Sequence, residues 1–155
     1  QGVLNTSGPV AGEVHLDALN TVQINGDISV DSTQGQGGLI TAQAHTIHAQ
    51  GDAALTATGK AGGGDILIGG DWQGGANEHR RVFDDPNALR QATIVTMDRG
   101  VLIDASVTQN GDGGTVVLWS DITNPNSVTS AHGTIYAKGG SQGGDGGQIR
   151  PRAQS

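Results

Sequence analysis

A short glycine-led segment recurs along this chain and limits the folds that the sequence can adopt. After each leading glycine, apolar residues alternate with mostly polar ones. The segments begin at residues 12, 38, 64, 114 and 147, so successive starts lie 26, 26, 50 and 33 residues apart. Each of the two longer intervals contains an insertion. Self-similarity at a fixed period of this length is typical of a solenoid, in which every repeat forms one coil.

Alternation within each segment assigns its residues to the two faces of a β-strand. The polar positions are expected to face solvent. The match is imperfect, because Leu39, Leu67, Val117 and Trp119 also fall on the outward face. The predicted inward column consists of Val14, Leu16, Ile40, Ile66, Ile68, Val116, Leu118 and Ile149.

A second pattern places a glycine near the middle of each coil and a Gly-Gly turn at its end. Residues 21–30 resemble 46–51, and residues 99–105 resemble 132–137. One coil therefore reads as three short strands, which bury their apolar residues only when coils stack about 4.8 Å apart. We predict an all-β fold, a right-handed parallel β-helix (β-solenoid) of about five coils of ~26 residues, with insertions at roughly 71–92 and 121–128.

Composition agrees with this fold and with few others. The 27 glycines and 3% aromatic residues leave few bulky side chains for an ordinary globular core of 155 residues. A glycine-rich polar chain is also typical of disorder, but only 15% of the residues are charged and β-branched runs recur between the glycines. Glycine recurs too often for helices, and a β-sandwich does not predict a 26-residue repeat.

The net charge of −7 and the lack of cysteine exclude several kinds of partner and site. Nucleic-acid binding requires a basic face, so we expect no nucleic-acid partner. No stretch of 18 residues is apolar, so we expect no membrane insertion. Without cysteine, the chain has neither disulfides nor thiolate ligands for a metal.

The two ends of the sequence lie in different parts of a coil. Residues 1–8 resemble 99–106, in mid-coil, whereas residues 148–155 lie just inside the first strand of another coil. We therefore expect one solenoid segment, 1–155, that is open at both ends. Because open ends are adhesive edges, the segment is expected to continue into a longer repeat protein or to stack end to end, which gives an open filament.

Three glycine-rich stretches resemble the repeat region of large filamentous-haemagglutinin-like exoproteins. They are GGGDILIGGDWQG at 62–74, VLIDASVTQNGDGGTVVLWSD at 101–121 and GTIYAKGGSQGGDGG at 133–147. The resemblance implies a Gram-negative exoprotein of the two-partner secretion type, exported as a long right-handed β-helix and used in adhesion, aggregation or biofilm. The N-terminal secretion domain of that family is not recognisable in the sequence.

The insertion at 71–92 contains the residues that are predicted either to contact a partner or to fasten the loop to the solenoid. They are Trp72, His79, Arg80, Arg81, Phe83, Asp84, Asp85 and Arg90. Projecting loops usually carry a solenoid's recognition function, so contact with a partner or a neighbouring subunit is one interpretation. The other is a loop that packs its aromatic residues over one solenoid face and pairs its own charges. Asp85 is a suitable N-cap for a short helix over 86–90, with Pro86 at its first position.

Catalytic and metal sites have weaker support in the sequence. Asp84 and Asp85 are adjacent, so they would face opposite ways in a strand. Asp65 and Asp71 lie on different parts of a coil, and no catalytic residue is predicted. Asp112 and Asp145 occupy the same turn on successive coils and are a candidate calcium site, although aspartate in a glycine turn is ordinary. No other cofactor is expected.

Two functions of different classes follow. The first is a structural extracellular or cell-surface fibre or adhesin segment, without enzymatic activity, whose partners are further copies of itself or a surface glycan or protein. The alternative is a β-helix that binds or modifies a polysaccharide, since parallel β-helices also host enzymes that use clustered carboxylates.

Overall fold

The computed structural model describes residues 3–71, 75–76, 82–85 and 89–152. These residues form fourteen β-strands and include no α-helix, and none of them belongs to a helix that could span a membrane. The strands are β1 (Val3–Asn5), β2 (Glu13–Asp17), β3 (Thr21–Ile24), β4 (Asp27–Ser29), β5 (Leu39–Gln43), β6 (Thr46–Ala49), β7 (Ala54–Thr56), β8 (Asp65–Ile68), β9 (Ile94–Met97), β10 (Leu102–Asp104), β11 (Thr115–Trp119), β12 (Val128–Ala131), β13 (Thr134–Tyr136) and β14 (Gln148–Arg152).

The strands assemble into three sheets in which every pairing is parallel. Sheet I has the order β14-β11-β8-β5-β2, sheet II the order β12-β9-β6-β3, and sheet III the order β1-β4-β7-β10-β13. Successive strands of the chain visit sheets I, II and III in turn. The predicted parallel β-helix is therefore confirmed, with four complete three-strand coils flanked by β1 and β14.

The glycine-led segments stack in the register that the repeat predicts. In sheet I, Val14 lies beside Ile40, Ile40 beside Ile66, Ile66 beside Val116, and Val116 beside Ile149. The 50-residue interval is thus one coil that carries an insertion, since β8 and β11 are direct neighbours. The connection between sheets I and II takes residues 69–93 in the third coil and 120–127 in the fourth.

The inward column forms the core where further coils cover it on both sides. Ile40, Ile66, Ile68, Val116 and Leu118 are at most 2% exposed, and Val14 is 9% exposed. The outermost strands differ, because no described strand covers their far side. Leu16 in β2 is half-buried, and Ile149 in β14 is 42% exposed although it stands in register with buried Val116.

The leading glycines are required by close contact between coils and not by a left-handed backbone. A Cβ on Gly64 would lie 2.1 Å from the carbonyl oxygen of Gly38, and one on Gly114 would lie 1.8 Å from that of Gly64. Neither glycine has a positive φ. Each coil therefore rests on the bare backbone of the preceding coil at this corner, which explains why glycine leads every repeat.

One register assignment made from the sequence is wrong by one residue. The resemblance of the N-terminus to 99–104 aligns Val3 with Val101, but in sheet III Val3 stands level with Leu102 through β4 and β7. The sequence comparison aligned residues by their apolar character. The backbone pairing instead aligns the inward positions, which places Leu4 level with Ile103.

We expect that Ile66→Asp abolishes cooperative folding. The substitution places a carboxylate in a fully buried column that offers no partner for the charge. Thr21→Asp is the matched control, because Thr21 is exposed on a strand of the same solenoid. Thermal unfolding followed by circular dichroism checks the prediction. Soluble Ile66→Asp protein that melts cooperatively, like the control, would contradict the inward assignment.

Candidate functional site

An apolar strip on the outer face of sheet I is the most unusual surface of the solenoid. Leu67, Val117 and Trp119 occupy outward positions of β8 and β11, yet each is at most 1% exposed. They form a second apolar cluster with Leu89, against which the half-buried residues Leu39, Val82 and Phe83 pack. Leu89, Val82 and Phe83 come from segment 69–93, so these three residues of the insertion pack against the sheet.

The carboxylate of Asp71 fixes the insertion near its start. Asp71 is 4% exposed, and the backbone N–H groups of Val82 and Phe83 donate to it at 2.8 Å. Hydrogen bonds from backbone amides to a buried carboxylate are charge-assisted and therefore stronger than neutral ones. Asp71 thus anchors Val82 and Phe83 beside the apolar strip.

Contacts near the end of the insertion reach three other coils. The Arg90 backbone N–H donates to the Gln43 side chain at 2.9 Å, and the Arg90 guanidinium donates to the Asp17 carboxylate. The indole N–H of Trp119 donates to the Gln91 side chain at 2.8 Å. A segment that belongs to the third coil therefore joins the first, second and fourth coils.

Asp65 begins β8 close to this cover. The pKa of the Asp65 carboxyl is raised to about 6, chiefly by burial and in part by the negative charge of Asp71, while hydrogen bonds with Thr115 act in the opposite direction. The sequence placed Asp65 and Asp71 on different parts of a coil. The structure brings them within electrostatic range, because the chain turns sharply after β8 through Gly69 and Gly70, whose φ angles are 84° and 154°.

The remaining residues predicted for the insertion have different placements. Trp72, His79, Arg80 and Arg81 lie outside the described residues, as do positions 86–88 of the predicted short helix. Asp84 and Asp85 are exposed, whereas Phe83 is half-buried against the apolar cluster. The sequence predicts a contact for Arg90 near the end of the insertion. It does not single out Leu89 or Gln91, because neither residue belongs to a distinguishing pattern.

The candidate calcium residues face one another across a stacked turn. Asp112 and Asp145 are both exposed, and the backbone N–H of Asp145 donates to Asp112 Oδ1 at 2.7 Å. One carboxylate oxygen of Asp112 therefore already accepts a hydrogen bond that joins the two stacked turns, as expected for aspartate beside glycine. Within the described ranges, no group of three or more His, Cys, Asp or Glu side chains is arranged to hold a metal ion. Calcium binding here stays a prediction.

Two histidines take part in local pairs on the solenoid surface. His48 Nε2 lies 2.9 Å from Asp98 Oδ1, and this pair joins the second coil to the adjacent third coil. His15 lies 2.7 Å from Thr41 Oγ1 and 3.0 Å from Glu13 Oε2. Thr41 is fully buried although its position faces outward. Each histidine therefore joins side chains of neighbouring strands.

We predict that Asp71→Ala loosens the insertion while the solenoid stays folded. The change leaves the amides of Val82 and Phe83 without their carboxylate, which costs about 2 kcal/mol locally. Limited proteolysis within 72–91 measures the effect, and faster cleavage is expected. The control is Asp84→Ala, which removes an exposed carboxylate and is expected to leave folding and cleavage unchanged. Equal cleavage of both variants would refute the role of Asp71.

Asp65→Asn is expected to change how stability depends on pH. A carboxyl whose pKa is raised by folding favours the folded state while it is protonated, and this contribution is lost as pH rises through about 6. Asn keeps the neutral form at every pH. The variant should therefore be more stable than the parent at about pH 7.5, by on the order of 2 kcal/mol, and similar at about pH 4.

Denaturant unfolding at the two pH values measures this difference. Asp52→Asn, which removes an exposed carboxylate, is the control for the loss of one negative charge. If Asp65→Asn and Asp52→Asn respond alike to pH, burial of Asp65 does not govern its ionisation.

Comparison with known proteins identifies a fold relative. No family model and no curated protein matches the sequence. Among solved structures, the chain is similar to the crystal structure of the HMW1 secretion domain from Haemophilus influenzae, with a TM-score of 0.61 and 21% sequence identity. The match covers 90% of this chain and 37% of that one, so the chain spans about a third of the length of its relative. At this identity, the likeness concerns the fold alone: nearly the whole chain follows the path of that secretion domain.

Proposed function

We propose that this chain is a structural solenoid segment of an exported bacterial surface protein, and that its two open edges accept further coils. The observation that carries the proposal is the stack of four complete coils, whose strands pair in parallel and in register along three sheets. Such a segment supplies a rigid rod, because each coil is hydrogen-bonded to the next along all three sheets.

The first end face consists of β1, β2 and β3. Leu4 is 48% exposed there although it stands in register with buried Ile28, and Leu16 is half-buried. A groove of about 480 Å³ opens between these strands and is lined by Val3, Leu4, Leu16, Ile24 and Ile28 among others. Apolar side chains that face an open groove at a strand edge favour the addition of another coil.

The second end face consists of β12, β13 and β14. Ile149 is 42% exposed on this side although it stands in register with buried Val116. β14 has one hydrogen-bonded neighbour, β11, among the described strands, and β12 likewise has β9. Unpaired strand edges recruit further strands unless they are blocked.

The lateral surface supports a scaffold more than an active site. The main apolar strip on it is covered by the insertion, and the Asp71 carboxylate is buried and engaged by backbone amides. A carboxylate held in this way does not reach a sugar in solution to exchange a proton. We therefore propose a non-enzymatic role over the alternative of polysaccharide modification.

Export and adhesion form the finer part of the proposal. The glycine-rich stretches resemble filamentous-haemagglutinin-like exoproteins of the two-partner secretion type, and the fold relative is a secretion domain of a Haemophilus influenzae protein. Both support secretion from a Gram-negative cell and a place at the cell surface or beyond it. Adhesion, aggregation or biofilm formation then follows from a rod whose ends associate or whose insertion contacts a surface glycan or protein.

Sedimentation velocity and negative-stain microscopy test the proposed association of end faces. The purified chain should form linear assemblies one solenoid wide, in amounts that increase with concentration. Ile149→Lys should reduce them by about tenfold, because a charge at an inward edge position must be buried in each joint. Gln34→Lys places the same charge on an exposed turn away from the ends and should have no effect. Folded parent protein that stays monomeric at all concentrations would overturn the proposal.

A further inference from the structure

The tripeptide Asn-Gly-Asp occurs twice in the chain, at residues 25–27 and 110–112. An asparagine carboxamide is open to attack by the backbone nitrogen of the next residue. Glycine in that next position hinders the attack least, because it has no side chain. Since the two tripeptides are identical, the local sequence predicts equal reactivity at both. The structure gives their backbones different hydrogen bonds.

The two asparagine side chains have similar surroundings. Asn25 and Asn110 are both exposed. Oδ1 of Asn25 lies over Gly51 in the next coil, 2.8 Å from where a Cβ would stand, and Oδ1 of Asn110 lies over Gly143 at 3.0 Å from the same point. Exposure and packing of the carboxamides therefore do not distinguish the two positions.

The backbone of Gly111 is held from both sides. Its N–H donates to the Gly143 carbonyl oxygen at 2.9 Å, and its C=O accepts from the Gly140 N–H at 3.0 Å. A Cβ on Gly111 would lie 2.0 Å from the Ala61 carbonyl oxygen, so the adjacent coil also packs closely on this turn. The Gly111 nitrogen can therefore act as a nucleophile only after the turn opens locally.

Gly26 lies in the two-residue corner between β3 and β4 and is held on one side only. Its C=O accepts from the Ala54 N–H at 3.3 Å, whereas its N–H donates no hydrogen bond within the described ranges. The same two-residue corner recurs at His132 and Gly133, beside the corner of the third coil. There too the Gly133 N–H has no acceptor among the described residues. The unbonded N–H thus belongs to this type of corner and not to its place in the first coil.

We propose that Asn25 is a site of spontaneous deamidation in the folded protein and that coil stacking protects Asn110. Hydroxide removes the proton from the Gly26 nitrogen, which attacks Cγ of Asn25. The new C–N bond closes a succinimide ring, and the Cγ–Nδ2 bond breaks with release of ammonia. Water then opens the ring, at the main-chain carbonyl to give isoaspartate or at the side-chain carbonyl to give aspartate. Overall, one water is consumed and one ammonia is released, and no enzyme is required.

Isoaspartate alters the corner because the backbone then runs through Cβ and Cγ and is one atom longer. The corner sets the register of β4, in which Asp27 stands beside Ala54 and Ile28 beside Leu55. The reaction also adds a carboxylate close to Asp27. The modified corner therefore weakens the pairing of β4 with β7, and the effect accumulates as the protein ages.

Peptide mapping by mass spectrometry, after the folded chain is incubated in mildly alkaline buffer, tests the proposal. Asn25 should convert at least about tenfold faster than Asn110, because the Gly111 hydrogen bond must open first. Labelling with an isoaspartyl methyltransferase identifies isoaspartate. The chain unfolded in denaturant is the control, and its two identical tripeptides should convert at similar rates. Equal rates in the folded chain, or an Asn25 that stays intact while the unfolded chain reacts, would overturn the proposal.

The variant Asn25→Asp separates the added charge from the added backbone atom. Parent molecules with isoaspartate at position 25 can be isolated by anion exchange. They should unfold at a lower temperature than freshly prepared Asn25→Asp, which has the same charge and a backbone of normal length. Equal unfolding temperatures would refute the proposed effect on β4.

Discussion

Each coil packs closely on the backbone of the preceding coil at its leading glycine. This contact keeps the strands of successive coils in register, and the core forms from that register. A side chain at Gly38, Gly64 or Gly114 would collide with the carbonyl oxygen of the preceding coil about 2 Å away. Glycine at this corner lets the following strand pair in register with its neighbour. In-register pairing then aligns like side chains, and the alignment produces the dry columns of the core.

The insertion shows how this solenoid tolerates apolar residues on its outside. Leu67, Val117 and Trp119 would be a liability on an uncovered sheet, but segment 69–93 returns over them and is secured by Asp71 and by the contacts of Arg90 and Gln91. The Asp65 carboxyl is partly desolvated and lies within electrostatic range of Asp71, which disfavours its ionised form. The same segment fastens separate coils to one another, which adds side-chain contacts to the backbone ladders.

The fold could be predicted because its physical cause repeats in the sequence. The 26-residue period, the alternation of apolar and polar residues and the leading glycines all indicate the same three-strand coil. The register of sheet I follows from them directly. The N-terminal strand was misaligned by one residue because Val3 and Leu4 are both apolar and only pairing with β4 distinguishes them. The contacts of the insertion had no periodic pattern to reveal them. Asp65 and Asp71 approach through the turn at Gly69 and Gly70, which occurs in a single coil.

The fold requires that parallel strands stack in register along a single axis. X-ray diffraction from an aligned film or fibre of the purified chain tests this stacking. We expect a strong reflection at about 4.8 Å along the solenoid axis, the spacing of hydrogen-bonded strands. A pattern in which the strand spacing lies perpendicular to the long axis, or in which no such reflection appears, would contradict it.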